Sequence, residues 1–428
     1  MPKTFIKSPY ALALLLFFGV PLVSAYVSVR APSLNERHLG YAVLIHLIFF
    51  MYLALGYIMF RRPLRKHKNN KKNGVIIKIR RRFFVASYIL LLVGVASSIY
   101  AATYKIGLSA YLFGLMSGAI NLRTDFMLTS AEGGISGVIK IQTYLPLAVF
   151  IAANVVRYFY DTKSPQREGV NRLIYWSLLA IFGKILFSQD RLTIAAVGAV
   201  FACYYLRKLT FRSALLIVSA YFIASYISGL RLRNYGLADF LFLYGKLGMV
   251  NLGISLGHRL EPSYGLQTIF HPLVFVIRYL GVNLNAGQYI KNWAWNPAQN
   301  LFGFSYIDFG YLSVIFLFIV GAIIGWIENL AKSGSFGARI VYFNILYCII
   351  SFVGVPAFRG LEFWYAMFVQ FLLLTLGVTM GYATDWGSGA FAAAGHGTHK
   401  DAQSREAGRT RDVAVCERVS LSADGKRP

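Results

Sequence analysis

The chain has 428 residues, of which 57% are apolar and only 14% are charged, and its mean hydropathy is +0.55. A soluble domain carries roughly a quarter charged residues, so this composition excludes an ordinary soluble enzyme and indicates a polytopic membrane protein. The formal net charge of +26 comes mainly from short linkers between apolar blocks, where lysine and arginine fix the orientation in a membrane. We therefore interpret the charge as a topology signal and expect no nucleic-acid partner.

About ten apolar blocks, each close to the length that crosses a bilayer, follow one another along the chain. The first is interpreted as an uncleaved helix that begins in the cytoplasm. The most basic linker, residues 61–82, is placed in the cytoplasm by the positive-inside rule and orients the later spans. The predicted spans are residues 10–29, 41–60, 83–102, 143–156, 173–187, 192–206, 213–229, 311–327, 340–355 and 364–382.

Residues 230–310 form the longest segment that is neither an apolar block nor a simple charged linker. The alternation of sides places this segment outside, as a large outer loop with short interfacial helices, one of them beginning near His271. From Asp385 onward the composition changes to small, polar and charged residues, which cannot bury enough apolar surface to offset their ordering entropy. The chain is thus divided into a transmembrane domain, residues 1–384, and a disordered cytoplasmic tail, residues 385–428.

Several arginines are predicted on the outer side. Arg191 follows a very short turn between two spans, and Arg231 and Arg233 directly follow the seventh span. An interfacial arginine often only extends its head group to water. A guanidinium also offers two parallel donors that fit a phosphate, which makes these arginines candidate diphosphate ligands, together with Arg123 and Arg278.

The remaining candidates lie in the outer segment. His258 and Glu261 are close in sequence, but no second and third ligand follow at a spacing typical of a metal site. The three cysteines give neither a disulfide framework nor a metal spacing. Asn300 to Gly310 contains aromatic residues such as Tyr306, which an interfacial aromatic belt explains, whereas Asp308 is not explained in that way. The sequence has no nucleotide-binding, zinc-protease or serine-hydrolase motif.

The element Asn300…Tyr306-Ile307-Asp308-Phe309-Gly310 resembles the Asn…x-Asp-Phe-Gly element that precedes a late membrane helix in bacterial O-antigen and oligosaccharide repeat-unit polymerases of the Wzy type. The turn at residues 188–192 is similar to the Ser/Gly-x-x-Arg turn of these proteins, and Arg123 occupies a position where they often have an arginine. The resemblance covers about residues 10–383, mainly as architecture.

The resemblance implies an all-α, GT-C-like glycosyltransferase in the bacterial inner membrane. Such an enzyme joins undecaprenyl-diphosphate-linked repeat units at the periplasmic face, without a metal or another cofactor, beside a chain-length regulator and a flippase. Fixed guanidinium groups would stabilise the leaving diphosphate, and a carboxylate would take the proton of the acceptor hydroxyl. The expected roles are diphosphate binding for Arg191, Arg231, Arg233, Arg123 and Arg278, glycan binding for His258, Asn300 and Tyr306, and general base for Asp308 or, second, Glu261.

Two other functions are compatible with the same sequence. An O-antigen ligase uses the same lipid-diphosphate donor, and its outer loop characteristically uses histidine and arginine, as in His258-Arg259. A flippase for lipid-linked oligosaccharides needs charged residues along a central cavity, and here the charges concentrate outside the spans.

Overall fold

The computed structural model describes residues 8–26, 38–61, 75–104, 107–117, 135–159, 164–188, 191–205, 237–257, 262–266, 268–279, 300–352 and 356–382. Within these ranges the chain is mainly helical and has a small two-stranded sheet. Short 3-10 turns at Gly310–Leu312 and Ala357–Arg359 connect helices. The elements are α1 (Pro9–Tyr26), α2 (Leu39–Phe60), β1 (Val75–Ile79), α3 (Arg81–Thr103), α4 (Leu108–Ser117), α5 (Ile135–Gln142), α6 (Leu145–Phe159), α7 (Ser164–Ser188), α8 (Arg191–Tyr205), α9 (Leu237–Gly257), α10 (His271–Tyr279), α11 (Leu301–Phe309), α12 (Ser313–Ser333), α13 (Phe336–Ser351), α14 (Leu361–Gly377) and β2 (Val378–Tyr382).

Five helical segments of the described chain are long and apolar enough to cross a membrane. Two shorter apolar helices, α13 and α14, accompany them. The prediction of a helical multi-pass membrane protein is therefore confirmed, while the predicted span 213–229 lies outside the described residues. The five segments are Pro9–Tyr26, Leu39–Phe60, Arg81–Thr103, Ile139–Phe159 and Leu301–Ser333.

The last predicted span, residues 364–382, is wrong at its C-terminal end. The helix ends at Gly377, and β2 pairs antiparallel with β1, so that Val378 lies opposite Ile79 and Tyr382 opposite Val75. The backbone N–H of Arg80 continues the contact by donating to the carbonyl of Gly377 at 2.8 Å. β1 belongs to the linker that the positive charges place in the cytoplasm, so this pairing holds the chain after α14 at the same end of the bundle.

The closest helix pair is α2 with α12. A Cβ at Gly321 would overlap the carbonyl oxygen of Leu53, and one at Gly325 would lie 2.5 Å from the carbonyl oxygen of Tyr57. On the facing side, a Cβ at Gly56 would overlap the carbonyl oxygen of Phe318. Helices in a membrane associate through such small residues because they allow close contact between backbones. The spacing Gly321-x-x-x-Gly325 is the sequence feature that makes this contact.

The first half of the predicted outer loop contains a helix that is longer than expected. Helix α9 has 21 residues, and most of its described side chains are buried. It packs against α1 and α2 through glycines: a Cβ at Gly245 would meet the side chain of Ser24, and one at Gly253 would lie 3.0 Å from the carbonyl oxygen of His38. Short interfacial helices were predicted from the sequence in residues 230–310; α9 is longer, and its apolar run is interrupted in the sequence by glycines, Lys246 and Asn251.

The bundle has two opposite ends, which we name after the buried carboxylate at each. At the Glu328 end, α12 finishes beside Ser8, Tyr57 and Arg61. At the other end of α2, the hydroxyl groups of Tyr41 and Tyr311 lie 3.0 Å apart. Because Tyr311 is close in sequence to Asp308, we call the end at which these two tyrosines lie the Asp308 end. Since α2 has 22 residues, its rise of about 1.5 Å per residue separates the two ends by roughly 33 Å.

Candidate active site

Helix α11 positions Asp308. Its N-cap, Asn300, accepts a hydrogen bond from the N–H of Gly303 at 2.9 Å through its side chain. Phe302, in the first turn, packs with Phe17 of α1 and His46 of α2, both near the middle of their helices. Helix α11 therefore begins inside the bundle and ends at the Asp308 end, where α12 turns back.

The Asp308 carboxylate is fully buried and holds a loop. The hydroxyl of Ser263 donates to one of its oxygens and that of Thr268 donates to the other at 2.5 Å. The backbone of the same loop caps α11, since the N–H groups of Ser263 and Tyr264 donate to the carbonyls of Ile307 and Asp308. Both carboxylate oxygens thus accept a hydrogen bond from the loop, so in this structure Asp308 holds Ser263 and Thr268 in place rather than facing an open space.

Arg359 brings a cation to the same place. It lies on the short turn before α14, is 6% exposed, and its guanidinium carbon is 3.5 Å from the ring centroid of Phe304. The Nδ1–H of His271 donates to its carbonyl at 2.9 Å, which fixes α10 to the turn. Burial lowers the pKa of Arg359 to about 9, and the nearby Asp308 carboxylate opposes that shift. The guanidinium is therefore charged at neutral pH although it is desolvated.

A second cation lies where α7 ends and α8 begins. Lys184 is 2% exposed, and its ammonium group donates to the Thr193 hydroxyl at 2.9 Å. The same nitrogen lies 3.1 Å from the ring centroid of Tyr144, a favourable cation–π position. Arg191 is the first residue of α8, two positions before Thr193. A buried lysine thus lies between the two helices that flank the turn predicted to bind an anion.

A cavity of about 90 Å³ lies beside these groups, between α6, α13 and the start of α14. Glu362 reaches it and forms an ion pair with Lys140 at 3.8 Å, with both side chains about one-quarter exposed. Gly360 allows this position, since a Cβ there would lie 2.9 Å from a carboxylate oxygen of Glu362. The cavity is lined by Tyr144, Leu147, Ile151, Asn344, Tyr347, Pro356, Ala357, Gly360, Glu362, Phe363 and Ala366.

No protein-family model, no curated protein and no solved structure matches this chain. The assignment of a function therefore rests on the residues and their geometry.

The structure describes some of the predicted site residues but not all of them. Asp308 and Asn300 lie at the two ends of α11, and Tyr306, between them, packs its ring against that of Tyr311. Arg191 and Arg278 lie in α8 and α10, where their backbone is described but their side chains are not. The other predicted residues lie outside the described residues: Arg123, Arg231, Arg233, His258 and Glu261.

The predicted site residues did not include several polar groups that the structure describes at this end: Lys140, Tyr144, Lys184, Arg359 and Glu362. A charged residue in a short turn between apolar blocks is the signal that points to Arg359 and Glu362, and the same signal pointed to Arg191. Nothing in the sequence shows that Tyr144 and Glu362 line one cavity. In the part of the chain that the structure describes, no group of three or more His, Cys, Asp and Glu side chains is arranged to hold a metal ion.

Proposed function

We propose that this protein is a polymerase that joins undecaprenyl-diphosphate-linked oligosaccharide repeat units at the periplasmic face of the bacterial inner membrane. The product is O-antigen, capsule or another exopolysaccharide, and the reaction is a metal-independent glycosyl transfer. The observation that carries the proposal is the convergence of Asp308, Arg359, Lys184 and Glu362 at one end of an apolar bundle. Ionisable groups near membrane depth are costly, and they usually serve function.

The orientation of this end follows from charge. The linker that precedes α3 is the most basic in the chain, and positive linkers stay in the cytoplasm. Arg61, the first residue of that linker, lies at the Glu328 end. The Asp308 end is then the periplasmic one, where the finished lipid-linked repeat units are presented.

The chemistry of the transfer matches the groups at this end. As the glycosidic bond to the carrier breaks, negative charge develops on the diphosphate, and fixed cations stabilise it. Lys184 is one buried cation beside the turn of Arg191. In the proposal, the arginines that flank the outer turns complete the binding of the diphosphate: Arg123, Arg191, Arg231, Arg233 and Arg278. His258, Asn300 and Tyr306 belong to the glycan side of the site.

The arrangement of charges favours a polymerase over a flippase. A flippase needs polar groups along a path through the bundle. Asp308, Arg359 and Lys184 instead lie at one end, and Glu328 lies at the other. A site at one face is what a transfer between two lipid-linked substrates requires.

A deletion strain distinguishes the candidate functions. We expect it to accumulate single lipid-linked repeat units on the periplasmic side and to regain a ladder of polymer lengths when the wild-type chain is supplied. Long chains that are not attached to lipid A core would instead indicate a ligase. Units retained on the cytoplasmic side would indicate a flippase.

Alanine substitutions test the diphosphate site. Arg191→Ala and Arg233→Ala should each reduce polymer formation by a factor of roughly 10²–10³, the usual effect of losing one group that stabilises developing negative charge. Arg172→Ala is the matched control, because Arg172 is 69% exposed and its partner among the described residues is its helical neighbour Glu168. Normal ladders from both test variants at normal protein level would remove the proposed diphosphate site.

A further inference from the structure

The inference concerns the group that deprotonates the acceptor sugar, and it rests on the proposed function. We propose that Glu362 is the general base of the transfer and that the cavity beside it receives the acceptor sugar. Its carboxylate stands at the start of α14, next to the turn that carries Arg359.

The hydrogen bonding of three carboxylates favours Glu362. An ionised carboxylate has about four acceptor positions. Asp308 accepts hydrogen bonds on both oxygens, and Glu328 is surrounded by two hydroxyls and two cations. Glu362 has an ion pair at 3.8 Å with Lys140, longer than a hydrogen bond. Its oxygens thus keep acceptor positions for a substrate hydroxyl, whereas those of the two buried carboxylates are used by the fold.

The cavity has the composition that a sugar ring requires. Its lining combines the aromatic side chains of Tyr144, Tyr347 and Phe363 with the polar groups of Asn344 and Glu362. A sugar presents apolar C–H faces and polar edges, so it packs against rings while its hydroxyls bond to carboxylate and amide. A water molecule needs roughly 10–15 Å³ on the same measure of volume, and a cavity of about 90 Å³ therefore has room for several hydroxyl-sized groups.

The cavity also adjoins the proposed diphosphate site. Tyr144 lines the cavity, and its ring holds the ammonium group of Lys184, which is bonded to Thr193 in the first turn of α8. Arg191 begins that turn. In this arrangement a donor diphosphate would lie beside Lys184 and Arg191, and an acceptor sugar would lie in the cavity. The two substrates would meet at Tyr144.

The transfer then balances without a further reagent. The acceptor oxygen attacks the anomeric carbon of the donor and forms the new glycosidic bond. The bond from that carbon to the diphosphate oxygen breaks, and its electron pair leaves with the undecaprenyl diphosphate. The hydroxyl proton passes to the Glu362 carboxylate and from there to water.

Substitution of Glu362 by glutamine tests the proposal, because glutamine keeps the shape of the side chain and removes the base. In the deletion strain, we expect Glu362→Gln to reduce polymer formation by about 10²-fold or more, the usual contribution of a general base, at normal protein level and melting temperature. Glu168→Gln, on an exposed helix surface, is the matched control and should polymerise normally. Lys140→Gln breaks the same ion pair and should retain polymerisation within a few-fold.

Three results separate the possible failures. Normal ladders from Glu362→Gln would overturn the inference, and so would equal losses from Lys140→Gln and Glu362→Gln, which would show that the ion pair alone matters. Failure of the wild-type chain to restore any ladder would overturn the proposed function itself. If Glu362→Gln does not fold, Gly360→Ala decides: its Cβ displaces the Glu362 carboxylate, so the folded variant should lose polymerisation, and normal ladders from it would overturn the inference.

Discussion

Glu328 and Asp308 are buried carboxylates at opposite ends of one bundle, yet their surroundings differ in kind. Glu328 joins α1, α2 and α12, since Ser8 and Tyr57 donate to it and Arg61 and Lys332 pair with it. Asp308 is held by two hydroxyls from one loop, and the cation near it, Arg359, is itself desolvated.

One end has a fully paired carboxylate with partly exposed cations, and the other has desolvated cations beside a cavity; in our proposal the second end carries the chemistry. Of the two cations that pair with Glu328, the side chain of Lys332 is 51% exposed and that of Arg61 is 15% exposed, so the positive charge at this end is less desolvated than at the other. At the Asp308 end, two cations, Arg359 and Lys184, are almost fully buried next to a cavity. Desolvated charges of this kind cost free energy, and in our proposal they are retained because they bind the substrate.

The largest expected loss of stability comes from removing the charge of Glu328. Glu328→Gln removes the charge that Arg61 and Lys332 share, and breaking a buried ion pair costs about 3–5 kcal/mol. We expect a strongly lowered melting temperature in detergent and little protein in the membrane. Glu168→Gln is the control, and equal melting temperatures of the two variants would contradict the role of Glu328.

A smaller loss of stability is expected at the other end. Asp308→Asn weakens the bonds from Ser263 and Thr268 and removes the charge that opposes the desolvation of Arg359, at a cost of about 1.5–3 kcal/mol. The variant should fold, melt at a lower temperature than the wild type, and cleave more readily within residues 262–270 under limited proteolysis. Unchanged melting and proteolysis would show that Asp308 does not organise that loop.

The close contact between α2 and α12 can be tested by adding one methyl group to a glycine of α12. Gly321→Ala forces α12 away from the carbonyl of Leu53, and overpacking of this kind costs about 1–3 kcal/mol. The same substitution at Gly19, where a Cβ meets no atom within 4 Å, should leave the melting temperature unchanged or raise it slightly, because alanine is the better helix former. Equal melting of both variants would exclude a close α2–α12 contact.

The smallest predicted effect is a dependence of stability on pH. Below about pH 9 Arg359 is charged in the folded and the unfolded chain, and the desolvation cost is fully present. Above that pH the folded chain releases the proton, while the unfolded chain, in which the arginine has its ordinary higher pKa, keeps it; the unfolded state then binds more protons and stability rises. Between pH 8 and 10 the free energy of unfolding of the wild type should rise by about 1 kcal/mol relative to that of Arg359→Met. The difference in melting temperature between the two proteins measures this change. A constant difference would show that burial does not lower this pKa.

Much of the helical framework could be predicted from sequence because a membrane imposes it locally. A block of apolar residues of bilayer length becomes a helix wherever it stands, as α2 and α3 do. The Gly321-x-x-x-Gly325 spacing stands in the sequence but was not singled out there, and a spacing does not name its partner helix. The pairing of β1 with β2 was not predictable, because it joins short strands that are far apart in the chain and only the folded bundle brings them together.

In the candidate site, too, individual residues could be singled out from the sequence, whereas their contacts could not. Asp308 could be singled out because a carboxylate beside an apolar span is unusual, but its bonds to Ser263 and Thr268 depend on how the loop folds back over α11. Glu362 and Arg359 were visible as charges in a short turn. Their roles depend on neighbours from α6 and α11, which no local pattern reveals.

Reconstitution of the reaction tests the central claim most directly. Lipid-linked repeat units extracted from the deletion strain would be mixed with the purified wild-type chain in vesicles, and the products separated by length. The account predicts a ladder of polymers and one undecaprenyl diphosphate released for each new linkage, with both products lost in Arg191→Ala. Repeat units that stay single in the presence of folded wild-type protein would contradict it.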